Sequence, residues 1–400
     1  MQIVHRPTPS PVVYVGLMIG AGTRHEHPNE NGMAHYIEHC LFKGTEHYSA
    51  RQIINHIEGI GGEINAYTTK EETTFYAATL NNHFRTTLHL LADMVLRPTF
   101  NKKETDKEVT VILDEIESYN DSPSELIYDD FENMIFEGSS LAMPILGTKK
   151  TLRRISKSPK YPLGWMAKHY RPERMVLFVQ GNVSTKQVIA AAEKELLSET
   201  RYPIAETRYP IADTRYPIAN TRTYKRHTHQ THIMLGSHTY PIGHPKQLTM
   251  FLLNNILGGS SMSSRLYLSL REKHGLVYNI DSQAVPLSDT GYWNIYLACE
   301  PQHKDQCLEL CHKELQTLRD VRLTSSQLQR ALRQLEGQLA ISAENQENNA
   351  LAMAKQMLYH HRAPQWQETF EKVKQITPSL LQEVANEVFS PEKIYTLLYD

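Results

Sequence analysis

The sequence predicts an α+β protein made of two similar domains, and three observations carry that expectation. Strand-like alternation and helical periodicity follow one another through the first half of the chain. The second half retells that order, most plainly where Tyr170-Arg171-Pro172-Glu173-Arg174-Met175-Val176-Leu177 is echoed by Phe389-Ser390-Pro391-Glu392-Lys393-Ile394-Tyr395-Thr396. Each of these segments follows a helical stretch and opens a strand at a Pro-Glu-basic turn, as an internal duplication would leave it. Finally, 400 residues give room for two or three domains, each with a substantial core.

The elements follow in order. Pro11 to Ile19 is strand-like. Asn31 can cap the helix that follows it, and Gly44 lies just past that helix. Ala50 to Ile57 is helical, and Gly61-Gly62 breaks the chain. Glu63 to Thr69 and Thr73 to Leu80 alternate like paired strands. From Asn82 the pattern is long and helical, through Leu90, Val111, Ile116 and Phe131. Met175 to Val179 reads as a buried strand and Lys186 to Leu197 as a helix. Thr200 to Asn220 is three tandem heptads, TRYPIAE, TRYPIAD and TRYPIAN. One proline per repeat forbids a continuous helix, so the segment reads as a partly extended linker. The expected division is therefore 1–198, a linker over 199–226, and 227–400.

Composition excludes several classes of function. Acids and bases nearly cancel, at a net charge of −2, which gives no electrostatic case for nucleic acid. The apolar runs are too short to span a bilayer, and no charged-then-apolar leader opens the chain. Cys40, Cys299, Cys307 and Cys311 form no disulfide framework, which fits a reducing compartment and a cytoplasmic location. Cys307 and Cys311 are one helical turn apart and read as half-buried thiols rather than metal ligands.

The chemistry concentrates in His35-Tyr36-Ile37-Glu38-His39. Residues three and four apart share a helical face, so His35, Glu38 and His39 project together. Two neutral imidazoles can grip a zinc ion, and a carboxylate beside them can take a proton from a metal-bound water. The order is His-x-x-Glu-His, inverted from His-Glu-x-x-His. A catalytic zinc needs a third protein ligand, and the helix after Phe100 offers Glu108, Glu115 and Glu117. Glu108 and Glu115 lie seven apart and share a face. One can reach the metal while the other orients a ligating imidazole. His227, His229 and His232 raise the idea of a second site, with His227 and His229 aligned if they lie on a strand. An exposed strand is the plainer reading.

These residues resemble the inverted-zincin metallopeptidases: pitrilysin, insulin-degrading enzyme and the mitochondrial processing peptidases. The resemblance runs almost end to end and is to the short, single-unit branch. Gly32-Met33-Ala34-His35-Tyr36-Ile37-Glu38-His39-Cys40-Leu41-Phe42-Lys43-Gly44-Thr45 is similar to the family's zinc helix and its exit. Family spacing implies Zn²⁺ held by His35, His39 and Glu115, with Glu108 as the supporting acid and Glu38 as the base. Gly61 to Thr69 is similar to the substrate-binding edge strand, where Asn65 and Ala66 would hold a peptide main chain. Gly258 to Leu266 and Arg271 to Tyr278 resemble the glycine-rich loop and the arginine–tyrosine pair. Arg271 and Tyr278 would stabilise the oxyanion formed at the substrate carbonyl.

The resemblance further implies two mixed, mostly antiparallel sheets packed with helices, together forming half of a clamshell. Two such halves would enclose a chamber. A homodimer suffices, because the chain carries both the zinc kit and the Arg271/Tyr278 pair; a heterodimer with a zinc-less sister is the alternative. The expected function is a zinc endopeptidase acting on peptides or unfolded segments. The competing readings are a non-catalytic scaffold or peptide-binding subunit of the same fold, and another metal hydrolase.

Overall fold

The computed structural model describes residues 1–197, 217–226 and 228–400. The heptads up to residue 216, and His227, lie outside the described residues. In chain order the strands are β1 (Gln2–Pro7), β2 (Val12–Ile19), β3 (Glu63–Thr68), β4 (Thr73–Leu80), β5 (Met175–Gly181), β6 (Thr221–Tyr224), β7 (Thr231–His238), β8 (Val277–Pro286), β9 (Gly291–Cys299) and β10 (Tyr395–Tyr399). The α-helices of the first part are α1 (Met33–Leu41), α2 (Ala50–Glu58), α3 (Phe84–Leu96), α4 (Lys102–Asn120), α5 (Pro123–Ile135), α6 (Lys149–Ile155), α7 (Lys160–His169) and α8 (Thr185–Ala192). Those of the second are α9 (Gln247–Gly258), α10 (Lys304–Asp320), α11 (Ser325–Glu344), α12 (Gln346–His360), α13 (Trp366–Val373) and α14 (Pro378–Val388).

Two sheets form, with strand orders β1-β5-β2-β4-β3 and β6-β10-β7-β9-β8. Substituting each strand for its counterpart converts one order into the other. The directions agree as well: β1–β5 and β6–β10 are parallel, and the remaining pairs are antiparallel. The echoed Pro-Glu-basic turns open β5 and β10, which hold equivalent places. Each sheet is thus mixed and mostly antiparallel, as expected.

The compact units are not contiguous in sequence. One comprises Met1–Glu117, Met143–Pro210 and Ser342–Pro364; the other comprises Ser118–Ala142, Ile211–Ile341 and Gln365–Asp400. This differs from a simple division into 1–198 and 227–400, because each half lends a helical segment to the other's unit. The cause lies in the sheets, which are apolar on both faces. Every residue of β5 is buried. In the first unit Val13, Val15, Leu17 and Ile19 of β2 face a core shared with α1 and α3. The opposite face, with Met18, Val176 and Phe178, is covered by Ala350, Met353 and Ala354 of α12. In the second unit α5 does the same service: Ile127, Phe131 and Met134 cover Met234, Tyr292 and Leu397. The expected linker also shortens at its end, because β6 joins the second sheet beside β10.

Close packing under α5 yields a test. A Cβ at Gly236 in β7 would lie 2.1 Å from the Trp293 carbonyl oxygen and 2.7 Å from Phe131 Cζ. Gly236→Ala is expected to destabilise by about 2 kcal/mol, the usual cost of overfilling a packed core. An unchanged urea midpoint would show that the β9 backbone and α5 both yield freely at this point.

Other expectations change in detail. The long helical stretch from Asn82 is three helices, broken near Pro98 and again at Asp121–Ser122. His229 lies in a bend before β7 starts at Thr231, so it does not alternate along a strand. Cys307 and Cys311 are buried in the second unit's core, and all four thiols are free. No helix among the described residues is long and apolar enough to cross a membrane.

Candidate metal centre

Helix α1 is embedded in the first unit's core through Met33, Ala34, Tyr36, Ile37, Cys40 and Leu41. That anchoring presents His35, Glu38 and His39 from a fixed face. Helix α4 buries Thr105, Glu108 and Ile112, at helical spacing. Glu115 continues the same stripe one turn on. The two helices bring His35, His39 and Glu115 together, with one donor atom from each lying within 4.8 Å of the others. Among the described residues no other trio of His, Cys, Asp or Glu does so.

Both imidazoles turn the same nitrogen inward. His35 Nε2 lies 3.8 Å from Glu115 Oε2, and His39 Nε2 lies 3.6 Å from the same oxygen. Donors bound tetrahedrally at zinc distances stand about 3.4 Å apart. The two spacings to Glu115 fit Zn²⁺ with little adjustment, and two imidazoles with one carboxylate form a donor set that zinc accepts. The second nitrogen of His39 is occupied as well, with Nδ1–H donating to Glu108 Oε2 at 3.1 Å. Glu108 is 6% exposed, and its other oxygen receives Lys43 Nζ at 2.8 Å. A carboxylate behind a ligating histidine fixes its tautomer and ring orientation. Glu108 therefore stands behind His39 while Glu115 faces both rings.

Electrostatics follows the geometry. Burial, then the neighbouring His39, pulls the His35 imidazole down to about 4, so that it is neutral at physiological pH. Burial pulls His39 the same way, but the Glu115 and Glu108 carboxylates outweigh it and raise this pKa. Glu115 is held below its ordinary value, chiefly by its hydrogen bond with His39. Burial raises Glu38, against the pull of the Thr68 hydroxyl, which donates to Glu38 Oε2 at 2.5 Å.

Thr68 is the last residue of β3, an edge strand paired, among the described residues, only with β4. Asn65 and Ala66 lie on that strand, opposite Tyr76 and Phe75. The outer edge of β3 keeps its backbone groups available for a further strand. In the second unit, Arg271 lies in a π-helical turn, Tyr267–Lys273. Its guanidinium carbon sits 4.9 Å from the Tyr267 ring centre and 5.0 Å from that of Tyr278, a cation between two aromatic faces. A bulge between Val277 and Ile280 turns Tyr278 outward, leaving it 82% exposed.

Sequence reasoning passed over three participants. Thr68 was signalled by alternation, since it shares the β3 face of Ala66. Lys43 stands four residues after His39, in the turn just past the end of α1 at Leu41. Tyr267 stands four before Arg271.

Fold and donor chemistry together are those of a zinc metallopeptidase. The family model Insulinase (Peptidase family M16) matches residues 2–149, and the model described as Peptidase M16 inactive domain matches residues 163–335. The chain belongs to peptidase family M16, at single-unit length, and its cofactor is Zn²⁺. It is 32% identical over 386 residues to YmxG of Bacillus subtilis, named an uncharacterized zinc protease, covering 96% of this chain and 92% of that one. An uncharacterized zinc protease of Rickettsia bellii is 30% identical, with 94% and 90% covered. The crystal structure of a protease from Helicobacter pylori shares the fold at a TM-score of 0.90 and 21% identity, covering 100% of this chain and 96% of that one.

Proposed function

We propose that the chain is a zinc-dependent endopeptidase, with the ion held by His35, His39 and Glu115. The observation that carries this reading is the convergence of both Nε2 atoms on one oxygen of Glu115. Zinc, when bound, would polarise the substrate carbonyl and make water a competent nucleophile. Glu38 takes the water's proton as the carbon–oxygen bond forms, then delivers it to the departing amine nitrogen. Burial favours that protonated interval, and Thr68 occupies one oxygen so that the other serves the proton. Glu108, backed by Lys43, holds the His39 ring.

Asn65 and Ala66 on the free edge of β3 receive the substrate as an added strand, which suits weak sequence preference because main chain is common to all peptides. In the dimer, Arg271 and Tyr278 of one protomer would supply a cation and a phenol to the oxyanion formed at the other protomer's zinc. The exposure of Tyr278 supports action on a bound peptide rather than a role in the core. The working form is a homodimer whose chamber admits peptides and unfolded segments. Four buried free thiols suit the cytoplasm.

The test is hydrolysis of a mixed peptide pool by a sample of known oligomeric state, with zinc content measured alongside. Chelation is expected to abolish cleavage and zinc to restore it. Zinc-loaded protein that binds peptides and cleaves none would replace the peptidase with a scaffold.

A further inference from the structure

Helix α1 begins without a capping side chain of its own. Its cap residue is Gly32, in the left-handed conformation at φ 89°. No larger residue fits, because a Cβ there would lie 2.8 Å from Gly147 Cα and 2.9 Å from the Leu146 carbonyl oxygen. Asn31, the expected cap, does not fill the role. It is buried, and its Nδ2 donates to the Pro144 carbonyl at 2.9 Å and to Glu26 at 3.1 Å.

Capping falls instead to Glu26, six residues upstream of Gly32 and 5% exposed. Glu26 Oε2 accepts the Gly32 N–H at 2.8 Å, and Oε1 accepts the Ala34 N–H at 2.7 Å. Two amides that the helix cannot satisfy are thereby paired, and the negative charge lies at the positive end of the helix dipole. Ala34 immediately precedes His35, so the carboxylate grips the turn from which the first imidazole projects. Burial pushes the Glu26 carboxyl up to about 8 while the donated hydrogens pull it down. The contacts are those of a carboxylate, since an added proton would meet donors on both oxygens.

We propose that Glu26 is a positioning residue for the metal centre. It clamps the first turn of α1 so that His35 and His39 already face Glu115 before zinc arrives, and the zinc affinity depends on that preorganisation. The proposal rests on the reading of His35 and His39 as zinc ligands. An ordinary structural cap would raise overall stability and leave the affinity of the folded protein untouched.

The experiment uses the full chain stripped of metal, as wild type, Glu26→Gln and Glu26→Asp. Zinc affinity is read by competition with a chromophoric chelator at about pH 8.5, above the Glu26 value. Hydrogen exchange at the Gly32 and Ala34 amides and the thermal midpoint are measured on the same samples. Glu26→Gln keeps the shape, loses the charge and replaces one accepting oxygen with an NH2 group that cannot accept. It is expected to bind zinc about tenfold more weakly, a loss of the size a helix cap supplies, with faster exchange at both amides. Glu26→Asp is expected to fall between the two, and it carries the test if the glutamine variant does not fold. A lower midpoint with wild-type zinc affinity would reduce Glu26 to a structural cap and overturn the proposal, leaving the metal reading intact. Wild-type protein that takes up no zinc would remove the metal reading and the positioning role with it.

Discussion

Glu38→Gln is expected to retain its zinc and to lose roughly 10²- to 10⁴-fold in kcat, the span a positioned general base contributes. The substitution keeps the side chain's shape and its ability to accept the Thr68 hydroxyl. It removes the charge and, with it, the capacity to hold a proton in transit. Glu38 is absent from the trio that gathers around the metal position, so zinc content has no reason to change. KM is expected to move little, because β3 rather than Glu38 would carry the peptide. Two results would refute the assignment. Normal turnover would mean that another group handles the proton, and lost zinc would mean that Glu38 is a ligand. A companion change, Thr68→Val, should lower kcat by less, since it frees the carboxylate without removing it.

What the sequence disclosed, and what it hid, follows the range of each interaction. The duplication was legible because a proline turn opening a strand is a local signal, and it recurs before β5 and β10. The spacing of His35, Glu38 and His39 was equally local. The reciprocal loan of helices was not legible. The apolar stripe of α12 says that the helix needs a surface, and Val176 and Phe178 say that a sheet face needs cover, but neither names the other. Capping of α1 misled for a related reason. Asn31 before a helix is a good local cap, yet Gly32 takes the cap position, and the Asn31 amide donates instead to Glu26 and to Pro144, more than a hundred residues away. The alignment of His229 along a strand failed on a boundary, because β7 begins at Thr231, two residues after His229. Lys43 escaped notice because its partner is on another helix. Its position after His39 reads as helix exit until Glu108 is seen beside it.

The two glutamates of α4 supply the second large effect and the sharpest discrimination. Glu108 and Glu115 are chemically identical and share a helical face, so composition and period alone do not rank them. Their surroundings do. Glu115 Oε2 faces both Nε2 atoms, and its side chain is 43% exposed, open to solvent. Glu108 is 8% exposed at the side chain and engaged twice, with His39 Nδ1 and Lys43. Its oxygens are already spent on neighbours. Glu108→Gln is therefore expected to weaken zinc binding by roughly 10- to 100-fold, the effect of disturbing a carboxylate behind a ligating histidine. The protein should still load zinc when the metal is in excess, and Glu108→Gln should then recover much of its activity. Glu115→Ala is expected to cost more affinity than this and to resist rescue, because two imidazoles alone leave the ion without its third protein donor. Metal content after dialysis and chelator competition on both variants decide the matter. If Glu108→Gln proves the worse binder of the two, the ligand and its support exchange places. The ion would then lie on the Nδ1 side of His39, where Glu108 already stands, and not on the Nε2 side that faces Glu115.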